Sequence, residues 1–126
     1  MRIIICGGRD FSEAKFIIKW LDEFVSESTI GTPKLVANGG CPSGADKWAT
    51  YWAQIRGWPL AIFPANWKMH GKAGGPIRNR AMLLIKPDFV IAFPGGNGTQ
   101  DMINAAAKMG IHTIKVKSSE ATLSPE

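Results

Sequence analysis

Apolar residues along this chain fall into two alternating patterns: short β-branched runs and longer stretches at helical spacing. Arg2–Cys6 is a run of isoleucines closed by Gly7-Gly8, which predicts a short buried strand. Ser12 can cap the next segment, where Phe16, Ile17, Trp20, Leu21, Phe24 and Val25 recur at helical spacing between Lys15, Lys19, Asp22 and Glu23. Gly31-Thr32-Pro33 breaks the chain, and residues 34–37 read as a second strand. Ala45, Trp48, Ala49, Trp52 and Ala53 then line one face of a second helix, ended by Gly57.

The alternation continues. Residues 59–63 predict a third strand, and 66–75 a long Gly/Lys-rich loop of the kind that is functional or mobile. Pro76 suits the first turn of a helix running to about Ile85. Residues 88–93 are an almost unbroken apolar run, as expected of a strand covered on both faces. A helix over 98–109, ended by Gly110, and a strand over 111–116 complete the pattern. Strands alternating with helices predict an α/β fold, a parallel doubly wound sheet with right-handed crossovers. Such sheets bind ligands outside the carboxyl ends of their strands.

The unusual residues gather in the loops at those ends. The first strand is followed by Gly7-Gly8-Arg9-Asp10, the second by Asn38-Gly39-Gly40-Cys41-Pro42-Ser43-Gly44-Ala45-Asp46, and the fourth by Pro94-Gly95-Gly96-Asn97-Gly98-Thr99. Glycine permits close backbone approach to a ligand, and a Gly-rich turn opening a helix presents free N–H groups and a positive dipole end to an anion. Three such loops at one sheet edge predict a nucleotide-sized phosphate cradle.

Composition narrows the class. A chain of 126 residues, 45% hydrophobic and 20% charged, has room for one domain. That domain is expected over 1–117, with a polar, frayed tail over 118–126. No apolar run approaches the ~20 residues that span a bilayer, and the N-terminus carries no signal-peptide core, so a cytoplasmic protein is expected. Cys6 and Cys41 read as free thiols of a reducing compartment, and His70 and His112 do not complete a metal site. No metal and no cofactor are expected. The net charge of +5 invites an anionic partner, and Lys68, Lys72, Arg78 and Arg80 cluster in one short stretch. Clustering fits a phosphate site better than a diffuse DNA-binding face.

Several segments together carry a resemblance: Gly7-Gly8-Arg9-Asp10-Phe11, Gly44-Ala45-Asp46 with Trp52-Ala53, Phe63-Pro64-Ala65-Asn66-Trp67, Gly71-Lys72-Ala73-Gly74-Gly75-Pro76-Ile77-Arg78-Asn79, and Pro94–Thr99. Over Met1 to about Val116 the chain resembles the YspA-type branch of the SLOG superfamily, which includes the LOG-type phosphoribohydrolases and DNA-processing protein A. The resemblance implies a Rossmann-like fold with sheet order 3-2-1-4-5, a nucleotide-derived ligand and a homo-oligomer. The LOG-type enzymes carry an Arg-Lys pair followed by Met, and a Pro-Gly-Gly-x-Gly-Thr-x-x-Glu motif whose Glu, with the Arg, serves catalysis. Here Arg78 and Met82 match, Asn79 replaces the Lys, and Met102 stands at the Glu position. A thioether can neither transfer a proton nor stabilise an oxocarbenium ion.

The expected ligand-binding residues are Gly7, Gly8, Arg9, Asp10, Gly40, Gly44, Asp46, Trp67, Lys72, Arg78, Pro94, Gly95, Gly96, Gly98 and Thr99. Arg78, Asp46 and Asp101 are the catalytic candidates. Each has a plainer reading. Asp10, Asp46 and Asp101 can compensate helix dipoles in first turns, Arg80 can be a solvated charge, and Lys72 an ordinary surface lysine. Trp67 can stack on a base or plug the loop, His70 is exposed or a general acid, and Trp48 and Trp52 belong to the core. Three functions follow in order: a sensor or sponge for a nucleotide-derived small molecule, a nucleotide N-glycosidase, and a nucleic-acid-binding protein.

Overall fold

The computed structural model describes residues 1–118. Strands β1 (Arg2–Cys6), β2 (Leu35–Asn38), β3 (Leu60–Ile62), β4 (Phe89–Ala92) and β5 (His112–Lys115) form one sheet in the order β3-β2-β1-β4-β5. Every neighbouring pair is parallel. The chain is therefore a single-domain, Rossmann-like α/β fold of the expected order. The order reverses between β1 and β4, where Ile4 pairs with Val90 and Ile5 with Ile91.

Alternation along the strands feeds two cores. Ile3, Ile5, Ile91 and Phe93 pack under α1 (Ala14–Glu27) and α2 (Gly44–Arg56). Ile4, Ala37 and Val90 pack on the other face with Met82, Leu83, Met102 and Ala106, which come from α4 (Gly74–Leu83) and α5 (Asn97–Lys108). The first core is aromatic: Phe93 stacks on Phe11, and Phe16 and Trp20 meet it edge-on. Asp22 ties α1 to α2, accepting from Trp52 Nε1–H at 2.8 Å and from Arg56 Nε–H and Nη2–H at 2.9 and 2.6 Å.

The structure corrects several element boundaries. Glu13, not Ser12, is the N-cap residue of α1, and it makes no side-chain capping bond. Residues 66–75 are not an open loop. Asn66 caps a helical turn, α3 (Trp67–His70), by accepting from Met69 N–H at 3.0 Å; a 3₁₀ turn over Gly71–Ala73 then runs straight into α4. The α4 helix ends at Leu83, short of Ile85, and Pro76 sits in its first turn as expected. Of the expected tail, residues 119–126 lie outside the described residues.

Candidate functional site

The carboxyl ends of β1, β2 and β4 open into a cleft of about 1220 Å³. The loops after β1 and β4 form its floor and are stitched together: Gly8 N–H donates to the Pro94 carbonyl at 2.8 Å. The Gly8 carbonyl accepts from Phe11 N–H and Ala45 N–H, each at 3.2 Å, which ties in the start of α2.

Most of the glycines here serve that stitching. A Cβ on Gly7 would lie 2.6 Å from Ala45 Cβ, and one on Gly8 would lie 3.0 Å from Gly95 Cα. A Cβ on Gly44 would strike the Gly8 carbonyl, and one on Gly95 would strike Thr99 Oγ1. Gly44 also has φ +73° and, unlike the other expected ligand-binding residues, does not line the cleft. Gly96 and Gly98 differ from these four, having nothing within 4 Å of an added Cβ. Backbone approach by a ligand is open at those two positions.

They mark the start of α5. Gly96 is its N-cap residue and supplies no side-chain cap, and the first turn carries no acidic residue. The N–H groups of Asn97, Gly98 and Thr99 precede the first backbone bond of the helix, from Gln100 N–H to the Gly96 carbonyl at 3.0 Å. Thr99 is only 8% exposed and lines the cleft, with its hydroxyl against Gly95. This helix end is thus an uncompensated set of donors.

Asp101 lies one turn further along α5 and does not compensate the dipole, contrary to expectation. Arg80 grips it instead, Nη1–H to Oδ2 at 2.8 Å and Nη2–H to Oδ1 at 3.1 Å. The Arg80 guanidinium, with help from Asn79, holds the Asp101 carboxyl below its ordinary range. Arg80 is therefore an ion-pair partner and not a free solvated charge. Asn79 is the buried hub behind them. Its amide donates to the Gly98 carbonyl at 3.1 Å and to Asp101 at 3.0 Å, while its oxygen accepts from Arg78 Nε–H at 2.9 Å.

The opposite wall comes from β2, β3 and α4. Arg78 Nη1–H donates to the carbonyls of Gly39 at 2.9 Å and Phe63 at 3.2 Å, which holds the guanidinium in the cleft wall. Gly39 leaves room for it: a Cβ there would strike Arg78 Nη1. Across Gly39 lies Asp46, 8% exposed, whose Oδ2 accepts from Cys41 N–H at 3.1 Å. Burial raises the Asp46 carboxyl above its ordinary range, against the opposing pull of the Cys41 amide and the Arg78 charge. Beneath them burial pushes the Cys6 thiol up to about 12, so it remains an inert thiol. The turn itself is pinned by fully buried Asn38, which accepts from Gly40 N–H at 2.8 Å and donates to Thr50 Oγ1 at 2.9 Å.

Arg9, Asp10, Trp67 and Lys72 stand exposed on the rim, whereas His70 does not line the cleft. Gly39, Asn79 and Arg80 were not among the expected ligand-binding residues. Gly39 belongs to the same glycine pair as Gly40, but which of the two faces Arg78 depends on the docking of α4. No group of three or more His, Cys, Asp or Glu among the described residues is placed to hold a metal ion. No helix of the described residues is long and apolar enough to cross a membrane.

No solved structure gives a significant match. The Gene 61 protein of Mycobacterium phage D29 is 32% identical over 120 residues, an alignment covering 90% of this chain and 94% of the relative. Residues 1–70, which hold β1 to β3 and the Gly-rich turns after β1 and β2, match the model of the YspA, cpYpsA-related SLOG family. With a parallel sheet of order 3-2-1-4-5 and a switch-point cleft, the chain belongs to that YspA, cpYpsA-related SLOG family.

Proposed function

We propose that the cleft binds a nucleotide-derived small molecule through its phosphate, and that the protein acts as a sensor or sequestering module. The observation that carries this reading is the start of α5. Its donors lack a side-chain cap and an acidic residue in the first turn, its glycines leave open space, and Thr99 lines the cleft beside them. The Arg78 guanidinium, fixed in the facing wall, supplies a charge-assisted second contact. The wall also contains Asp10, Asp46 and Asp101, and Arg80 is occupied by Asp101. That mixture of signs favours a small ligand held at defined points over a nucleic-acid backbone.

A second reading, hydrolysis of a nucleotide N-glycosidic bond, draws support from Asp46. It is a buried carboxyl with a raised pKa beside Arg78, the type of environment that equips a general acid. A thermal-shift panel of nucleoside phosphates and ADP-ribose derivatives, with chemical analysis of each hit, separates the two. A ligand at 100 times its Kd adds about 2.7 kcal/mol of stability. Ligand recovered intact supports the binding module, and release of free base supports the glycosidase. No shift with any phosphate compound removes both.

A further inference from the structure

Trp67 is the one tryptophan of five in the chain that is exposed, at 58%. Trp52 is fully buried, and Trp20 and Trp48 have aromatic partners, whereas Trp67 has none among the described residues. A solvent-facing indole leaves a large apolar surface in water. Its position is nevertheless built and not incidental. The Asn66 side chain caps the turn that begins with Trp67, and Gly71 N–H donates back to the Trp67 carbonyl. The six-membered ring rests against the first turn of α4. A Cβ on Gly74 would come within 3.1 Å of Cε3, and one on Gly75 within 3.0 Å of Cη2. Two adjacent glycines give the ring a flat seat that any side chain would lift.

The ring also lines the cleft that holds the α5 donors. A phosphate occupies only a fraction of that cleft, whose roughly 1220 Å³ exceeds the ~300–1,000 Å³ of ordinary small-molecule sites. We propose that Trp67 is the stacking platform for the ligand's aromatic base, so that this protein takes nucleotides with the base attached and discriminates against bare sugar phosphates. The inference rests on the phosphate reading above. Stacking is tolerant of base identity because every base has a π-face, so the platform selects for a base without selecting which one.

The test titrates the full chain with the four ribonucleoside 5′-monophosphates and with ribose 5-phosphate, which keeps the phosphate and sugar but lacks the base. Wild type should prefer the best nucleotide by about 5- to 150-fold, the range that stacking on one aromatic side chain provides. Trp67→Ala should reduce that nucleotide to the affinity of ribose 5-phosphate and leave ribose 5-phosphate unchanged, while Trp67→Phe retains most of the preference. Trp67 is exposed but seated on Gly74 and Gly75, so Trp67→Ala should remain folded with a modestly lower melting temperature, and its unchanged ribose 5-phosphate affinity separates lost stacking from lost folding. Equal wild-type affinity for nucleotides and ribose 5-phosphate overturns the platform and leaves the phosphate site standing, as does a preference that survives in Trp67→Ala. If none of the five compounds binds, the phosphate site falls and the platform with it.

Discussion

Arg78 and Gly39 are locked together: Nη1–H of the arginine donates to the glycine carbonyl at 2.9 Å, and nothing larger than hydrogen fits at the glycine's side-chain position. Gly39→Ala should therefore displace the guanidinium without unfolding the chain, because the obstructing atom ends a long flexible side chain. Stability should fall by about 1 kcal/mol in urea melts. Loss of a charge-assisted contact to phosphate should weaken nucleoside monophosphate binding about 10- to 100-fold by calorimetry.

Neighbouring glycines at the α5 start should separate sharply. Gly95→Ala drives a methyl group into Thr99 and the stitched floor, and should cost about 1–3 kcal/mol of stability. Gly96→Ala meets open space and should stay within about 0.5 kcal/mol of wild type. Gly96→Asp should fold equally well and lose phosphate binding, since a carboxylate there repels the ligand. Unchanged affinity in Gly96→Asp would place the anion elsewhere.

Asp46 should cost stability. Burial raises its folded-state pKa, so the folded protein holds this proton more tightly than the unfolded chain does. Stability then falls as pH rises from the ordinary 3.8 through the raised value, and above it the full cost persists. Asp46→Asn should flatten this dependence, be at least as stable as wild type at pH 7, and lose its advantage as pH falls toward 3.8. Thermal melts of both proteins across pH 3 to 8 provide the measurement. An advantage that grows as pH falls would reverse the assigned direction.

Met102→Glu should not create a glycosidase. Met102 is 0% exposed, packs with Met82, Leu83 and Ala106 under the sheet, and does not line the cleft. A carboxylate there is buried among apolar groups and should cost about 3 kcal/mol or more. Met102→Leu, with similar volume and no charge, should cost less than about 1.5 kcal/mol. Base release by a folded Met102→Glu protein would refute this placement.

The strands were legible because their apolar runs are contiguous and their glycine stops are local. The 88–93 run overshoots β4 by one residue at each end: Phe93 lies beyond the strand yet stays buried under the helices, whereas Asp88 is exposed and caps the strand's start by accepting from Arg2 N–H. The 66–75 segment was not legible as helix. Glycine at 71, 74 and 75 argues against helical structure by propensity, and the Asn66 cap and the seat under Trp67 override it. The chemistry of the site divides the same way. Gly-rich turns after strands announce a cleft, but whether a glycine faces ligand or another loop is decided by packing between segments far apart in sequence. Gly44 and Gly96 look alike along the chain and do opposite things in space. The Arg80–Asp101 pair was hidden for the same reason, because it exists only once α4 and α5 lie side by side.

Placing β4 against β1 also sets a timetable. A chain emerging from the ribosome completes β1 first, yet the strand that covers its far edge comes only after four α-helices and a 3₁₀ turn have been made. Until then Ile4 and Ile5 present an apolar, unpaired strand edge to other nascent chains. The bond from Gly8 to Pro94 that closes the cleft floor is a late event in the vectorial life of the molecule. The cleft is consequently a product of the completed sheet, and a polypeptide stalled after β3 would carry the residues that match the family model without the pocket.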